Sequence, residues 1–288
     1  MNSIISRRDF LRIIKTVGAT VFSIAATGYY ILEFEPEWLD VSQVEIPLSR
    51  IPKAFDGFRI AQISDIHMGG WMNRERLAEV VSLVRQQNPD LIVLTGDYVF
   101  GHSWSEALDV AAEDLVVELS ALAAEYEVIA VMGNHDYWTD AVKVRGILSR
   151  CGILELKNDT HMVVRHGQGL CVAGVDDVSE GEDRLQEFFD KLPSDEDSIL
   201  LAHEPDYADT ATLAGRFGLQ LSGHSHGGQV VIPFLGPPVL PLWGRKYPSG
   251  LYRVGEMWLY TNRGVGMTSP FVRFNCRPEI TVFTLKSL

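Results

Sequence analysis

Residues 59–67 read Arg-Ile-Ala-Gln-Ile-Ser-Asp-Ile-His, and residues 91–97 read Leu-Ile-Val-Leu-Thr-Gly-Asp. Each is a short apolar run that breaks into a polar cluster, the pattern of a buried strand delivering a functional loop. Between them, Arg74–Gln87 sets Leu77, Val80, Val81 and Val84 on one helical face, with Asn73 as cap. The alternation continues outward, with helical spacing over Ser105–Ala124, an apolar run at Glu127–Val131 and a helix around Thr139–Leu148. That succession predicts parallel strands joined by crossover helices, with chemistry at the carboxyl ends of the strands. After residue 150 the elements shorten. Strands are expected at Ile153–Leu156, His161–Arg165, Leu170–Val175, Ser198–Ala202 and Leu219–Leu221, and helices at Glu182–Lys191 and Tyr207–Gly215. The tail predicts strands at Gly250–Arg253, Met257–Thr261 and Glu279–Leu285, preferentially antiparallel. One domain of two stacked sheets over residues 58–288 accommodates all of this.

Five polar clusters punctuate the body: Asp65-Ile66-His67, Gly96-Asp97, Gly133-Asn134-His135-Asp136, His203, and Gly223-His224-Ser225-His226. Each begins where an expected strand ends, so parallel strands would carry them to one edge of a sheet. Five of the eight histidines fall in these clusters. Imidazole, carboxylate and amide oxygen are the donors that borderline metals such as Mn, Fe or Zn take. Singly, an Asp-x-His or a Gly-Asp is an ordinary loop feature; jointly, and in this order, they point to a centre for two metal ions.

The five clusters resemble the pattern of the calcineurin-like metallophosphoesterases, which runs D-x-H, G-D, G-N-H-D/E, a lone H, and G-H-x-H. No metal-ligating position of that pattern is missing. The resemblance covers residues from about 58 to the end and implies an α/β fold, a four-layer sandwich of two mixed β-sheets flanked by helices. It implies two divalent or trivalent ions per chain. Asp65, His67 and His226 would hold the first, Asn134, His203 and His224 the second, with Asp97 bridging. His135 and Asp136 are the candidate catalytic residues. His135 would act as general acid or phosphate donor, and Asp136 would either orient a histidine or cap the helix that follows. Two cations side by side polarise phosphate oxygens and lower the pKa of a water between them, which is why hydrolysis by a metal-activated hydroxide needs this set. Gly223–Gln229, Asn262-Arg263-Gly264 and the tail Phe274–Glu279 are similar to the exported or membrane-attached bacterial branch, which includes UDP-diacylglucosamine hydrolases.

The amino terminus reads differently. Ser6-Arg7-Arg8-Asp9-Phe10-Leu11-Arg12 matches the twin-arginine export pattern S/T-R-R-x-F-L-K except at Arg12, and an uncharged run follows from Thr16 to Leu32. Seventeen residues is the lower limit for a membrane-spanning helix. Tyr29-Tyr30-Ile31-Leu32 extends the run past the small-residue triplets that could be cleavage sites, which favours an uncleaved anchor with the body on the outer side. Residues 1–35 are accordingly assigned to signal or anchor and 36–57 to a connecting segment.

Charge and composition narrow the partners. The 288 residues include 25 Lys plus Arg against 38 Asp plus Glu, and the imbalance lies entirely beyond residue 35. Such a body repels a phosphate backbone, so nucleic acid is not an expected partner. Three scattered cysteines exclude a disulfide scaffold or a zinc knuckle. A run at Pro233–Pro248 holds Phe234, Leu235, Val239, Leu240, Leu242 and Trp243 among five prolines; it either packs under the sheets or receives an apolar part of the substrate. The expected activity is hydrolysis of a phosphodiester or diphosphate bond in a small phosphorylated or lipid-linked substrate. A phosphomonoesterase or protein phosphatase is the alternative enzyme, and a metal-stabilised binding module at the membrane the alternative without catalysis.

Overall fold

A computed structural model describes residues 6–288. The helices are α1 (Arg7–Tyr29), α2 (Arg74–Gln86), α3 (Glu106–Ala123) and α4 (Asn134–Arg150), with several shorter turns. The strands of the first half are β1 (Asp40–Leu48), β2 (Arg59–Ile63), β3 (Leu91–Thr95), β4 (Val128–Val131) and β5 (Leu154–Glu155). Those of the second half are β6 (Asp159–Arg165), β7 (Gln168–Gly174), β8 (Ser198–Leu201), β9 (Phe217–Ser222), β10 (Gly250–Val254), β11 (Met257–Thr261) and β12 (Glu279–Ser287). They form two six-stranded sheets, ordered β1-β12-β2-β3-β4-β5 and β10-β11-β9-β8-β7-β6.

The apolar runs that carry no alternation are buried on both faces, and period two divides them between two cores. Ile60, Leu91, Val93, Ile129 and Val131 point between the sheets, where they meet Val172, Ile199, Leu201 and Leu219. Ala61, Ile63, Ile92, Leu94 and Ala130 point outward beneath Leu77, Val81, Leu115, Leu119 and Ile147 of the three long helices. A third core lies on the far face of the second sheet, where Phe188, Tyr207 and Ala211 from short helical turns cover Leu200 and Leu259. Three cores separate four layers, the expected α/β/β/α sandwich.

Both sheets are mixed. β2, β3, β4 and β5 run parallel, and β12 is antiparallel to β2. In the second sheet β7, β8, β9 and β11 run parallel, flanked by antiparallel β6 and β10. The tail strands are thus antiparallel to only one neighbour each: β12 is parallel to β1, and β11 to β9.

Residues 36–57, expected as a connector, contribute β1, which pairs with β12 from Asp40 to Leu48. Pro47, which cannot donate to a ladder, is tolerated because β1 is an edge strand. Glu35 and Pro36 are buried as well, so packing against the body reaches upstream of β1. Upstream, Ser6 caps α1 by accepting from the Asp9 N–H, and no residue of α1 is buried. The helical stretch Arg7–Glu37 is long and apolar enough to cross a membrane, with mean hydropathy 1.4 over its best window.

Candidate metal centre

Parallel strands from both sheets end on one edge, and each end releases a polar cluster. β2 leads to Asp65 and His67, β3 to Asp97, β4 to Asn134, β8 to His203, and β9 to His224 and His226. All seven meet. His67 and His226 approach through their Nε2 atoms at 3.0 Å, and His226 Nε2 lies 3.4 Å from Asp65 Oδ1. Asp97 Oδ2 stands between His67 Nε2 at 3.5 Å and His203 Nε2 at 3.2 Å. Asn134 Oδ1 faces His224 Nδ1 at 2.8 Å, and the His203 and His224 rings are 5.0 Å apart.

The backbone that achieves this convergence is strained. Asp65, His67, Asp97, His224 and His226 all adopt positive φ, between 50° and 69°. L-residues with side chains rarely sit there, and such strain of about 1–3 kcal/mol per residue concentrates at functional sites. The glycines of the clusters have a packing reason. A Cβ on Gly96 would lie 2.7 Å from His203 Nδ1, and one on Gly133 or Gly223 would collide with the Asp97 or Asp65 carboxylate.

Do these donors suit metal ions? His203 Nδ1 lies 2.6 Å from the Thr95 carbonyl, which fixes a proton there and turns Nε2 toward the centre, 3.2 Å from Asp97 Oδ2. His224 Nε2 is likewise set on the Leu242 carbonyl at 2.7 Å, so Nδ1 and Asn134 Oδ1 confront each other as two acceptors. A cation resolves that confrontation. Burial pushes His67 down to about 3 and His226 well below its ordinary value, keeping both imidazoles neutral and their lone pairs available. Burial opposes ionisation of Asp97 as well, but His203 and His135 hold it well below the usual carboxylate range. Three overlapping donor groups result, each spanning no more than 4.8 Å: Asp65–His67–His226, His67–Asp97–His135 and Asp65–Asp97–His203. Together with the Asn134–His224 pair they offer enough ligands for two ions.

The other candidate residues separate by what they touch. The His135 ring lies 4.7 Å from that of His67, and its Nδ1 is 3.3 Å from the Gly101 carbonyl. Asp136 touches no histidine. Its carboxylate accepts from the backbone N–H groups of Asp97 (2.9 Å), Tyr98 (2.8 Å), Val99 (3.3 Å) and Gly133 (3.0 Å). It therefore closes the N-terminal turn of α4 and clamps the Asp97 loop. Burial and the Asp97 charge push Asp136 up to about 8, against the pull of those N–H groups. Arg263 is committed to Glu279 at 2.9 Å and Asp40 at 2.8 Å. Its neighbours Val265 and Gly266 donate to the Ser64 and Asp65 carbonyls and brace the first donor loop.

The model for calcineurin-like phosphoesterases matches residues 58–228, the stretch that supplies every one of these donors. This chain belongs to that family. Metallophosphoesterase YkuE of Bacillus subtilis strain 168 is 35% identical over 285 residues, spanning 98% of each chain. Phosphodiesterase YaeI of Escherichia coli strain K12 is 31% identical over 285 residues, spanning 98% of this chain and 99% of its own. A transmembrane protein with metallophosphoesterase domain from Danio rerio is 34% identical over 85% of this chain and 57% of its own. Family and donor set together make this phosphoesterase a metal-dependent hydrolase of phosphoric esters.

A cavity of about 730 Å³ opens over the donors. Asp97, Asn134, His135, His224 and His226 form its polar floor. Its walls are largely apolar: Phe100 and Trp138 on one side, Val230 and Pro238–Leu242 on another, Pro270 and Val272 beyond them. His102 stacks on Trp138 at 5.1 Å and lines the rim. The Pro233–Pro248 run does not pack under the sheets; its inner edge is cavity wall. Sequence reasoning missed Thr95 and the Leu242 carbonyl, which orient two histidines. It also missed the 268–272 wall, whose residues carry no motif.

Proposed function

We propose that this phosphoesterase hydrolyses a phosphodiester or diphosphate bond in a lipid or lipid-precursor, such as a UDP-diacylglucosamine, from the outer side of the cytoplasmic membrane. The supporting observation is the cavity itself, a polar floor of metal donors beneath apolar walls too extensive for a bare phosphate. A phosphodiesterase among its full-length relatives supports a diester over a monoester. Asp65, His67 and His226 would hold one ion, Asn134, His203 and His224 the other, with Asp97 shared between them. The ions, Mn, Fe or Zn, supply Lewis acidity toward phosphate oxygens and a nucleophilic water at neutral pH. His135, half-buried beside the floor, stays outside the ligand set and donates to the phosphate or the leaving oxygen. Asp136 positions Asp97 through the loop amides. Residues 1–35 act as a twin-arginine-type signal retained as an anchor, in keeping with an unburied α1 and with a transmembrane relative.

A substrate screen tests this reading. The metal-loaded chain should turn over UDP-diacylglucosamine or a phospholipid in preference to cyclic nucleotides and p-nitrophenyl phosphate. Preference for the monoester would replace it with the phosphomonoesterase alternative. The mass of the mature chain from cells tests the anchor: loss of the first 30 or so residues would contradict retention.

A further inference from the structure

One face of the molecule carries a set of large exposed apolar side chains that begins at the cavity wall and extends beyond it. Residues Ile232–Gly236 form a tight turn closed by two backbone bonds, Ile232 N–H to the Gly236 carbonyl (3.0 Å) and the reverse (2.8 Å). At its tip Phe234 is 106% exposed and Leu235 82%; Val239 at 75% and Leu242 at 66% continue the patch. Phe234 has φ of 68°, so the backbone holds this bulky side chain outward at a conformational cost. Contiguous exposed apolar surface of this kind marks an interaction site.

The covering surface follows from what the turn is attached to. Val231 N–H donates to the Phe274 carbonyl and Phe274 N–H to the Gln229 carbonyl, tying the turn to residues 272–274. The next link is Arg273 N–H, which donates to the Ile31 carbonyl at 3.0 Å, where the apolar N-terminal helix ends. Glu35, buried just beyond, accepts from Cys276 N–H. A run of backbone bonds therefore joins the foot of α1 to the apolar turn through residues 272–274, of which Val272 lines the cavity.

We infer that the lip formed by residues 230–243 sits in the lipid surface that holds α1, so that the cavity opens against the bilayer. This rests on the retained-anchor reading. A body carrying 35 acidic against 21 basic side chains beyond residue 35 is repelled by anionic headgroups, so the contact is apolar in origin. The same loop has two faces: Pro238–Leu242 line the cavity while Phe234 and Leu235 point away from it. An amphiphile thus has a continuous apolar path from the acyl layer to the metal donors.

The three native cysteines are buried, so a single new surface cysteine can be labelled selectively. Full-length chains with Phe234→Cys, Leu235→Cys or, on α1, Val21→Cys would each carry an environment-sensitive fluorophore. They would be reconstituted in phosphatidylethanolamine–phosphatidylglycerol vesicles with or without acyl-brominated lipid. An apolar face at the interface reaches about 5–10 Å into the acyl boundary, which predicts roughly twofold loss of emission to bromine at 234 and 235, with protection from aqueous iodide. Quenching at 21 with iodide-accessible 234 and 235 would overturn the lip while leaving the anchor intact. Protection from iodide without lipid quenching at 234 and 235 would also overturn it, in favour of a protein partner or second copy. No lipid quenching at any of the three positions would remove the anchor and the lip together.

Discussion

The floor and the lip of one cavity are built on opposite rules. The floor gathers seven buried polar side chains, five of them on left-handed backbone, and orients His203 and His224 through the Thr95 and Leu242 carbonyls. The lip, only a few residues along the chain from His226, exposes Phe234 and Leu235 on a two-bond turn. Strain and burial are tolerated where reacting groups must be held still; exposure of apolar surface is tolerated where something apolar must arrive. Chemistry and substrate choice are thus separable, and substitutions in the two regions should fail in different ways.

The largest effect is expected at the floor. Asp97→Asn removes the carboxylate shared between His67 and His203, and should lower turnover on the order of 1000-fold with loss of bound metal, as measured by elemental analysis beside kinetics. Near-normal activity would contradict a bridging role. His135→Ala should keep both ions and lose about 100-fold in kcat, the usual scale of a general acid. Loss of metal in that variant would move His135 into the ligand set, where its 4.8 Å grouping with His67 and Asp97 would accommodate it. Asp136→Ala leaves buried N–H groups without an acceptor and should cost about 3 kcal/mol in chemical denaturation. Its metal affinity should also fall about tenfold or more, as for other residues that support ligands. An unchanged midpoint would refute the clamp. At the cavity wall, Leu240→Ser should change kcat/KM for the small diester bis-p-nitrophenyl phosphate by less than about twofold while weakening turnover of a lipid-linked substrate. Equal losses on both would show that the wall supports the floor instead of selecting substrate.

The same contrast governs what could be read from the chain. β2, β3 and β4 were legible because strands buried on both faces are apolar at most positions, and helices α2 and α3 because one face repeats. β1 was hidden: Asp40–Leu48 alternates imperfectly and contains a proline, which only an edge position permits. The Gly-Asn-His-Asp motif reads as loop, which puts the expected start of α4 near Thr139; in the fold Asn134 is already helical, with Asp136 accepting from the Gly133 N–H and Asp97 from the His135 N–H. Site residues were legible through their order at strand ends, since that order is a property of the chain. Positive φ at Asp65, His67, Asp97, His224 and His226 was not, since nothing but tertiary packing imposes it. Nor did composition reveal the 268–272 wall, or that the proline-rich run has one face on the cavity and another in the open.

The central claim is that the floor binds two ions and hydrolyses phosphoric esters with them. Full-length protein stripped of metal and reloaded separately with Mn, Fe and Zn tests it most directly, with bound metal and hydrolysis of bis-p-nitrophenyl and p-nitrophenyl phosphate followed together. Activity should rise with occupancy toward two ions per chain with at least one of these metals. Two ions bound with neither ester hydrolysed under any metal would contradict it, and leave a metal-stabilised binding module in its place.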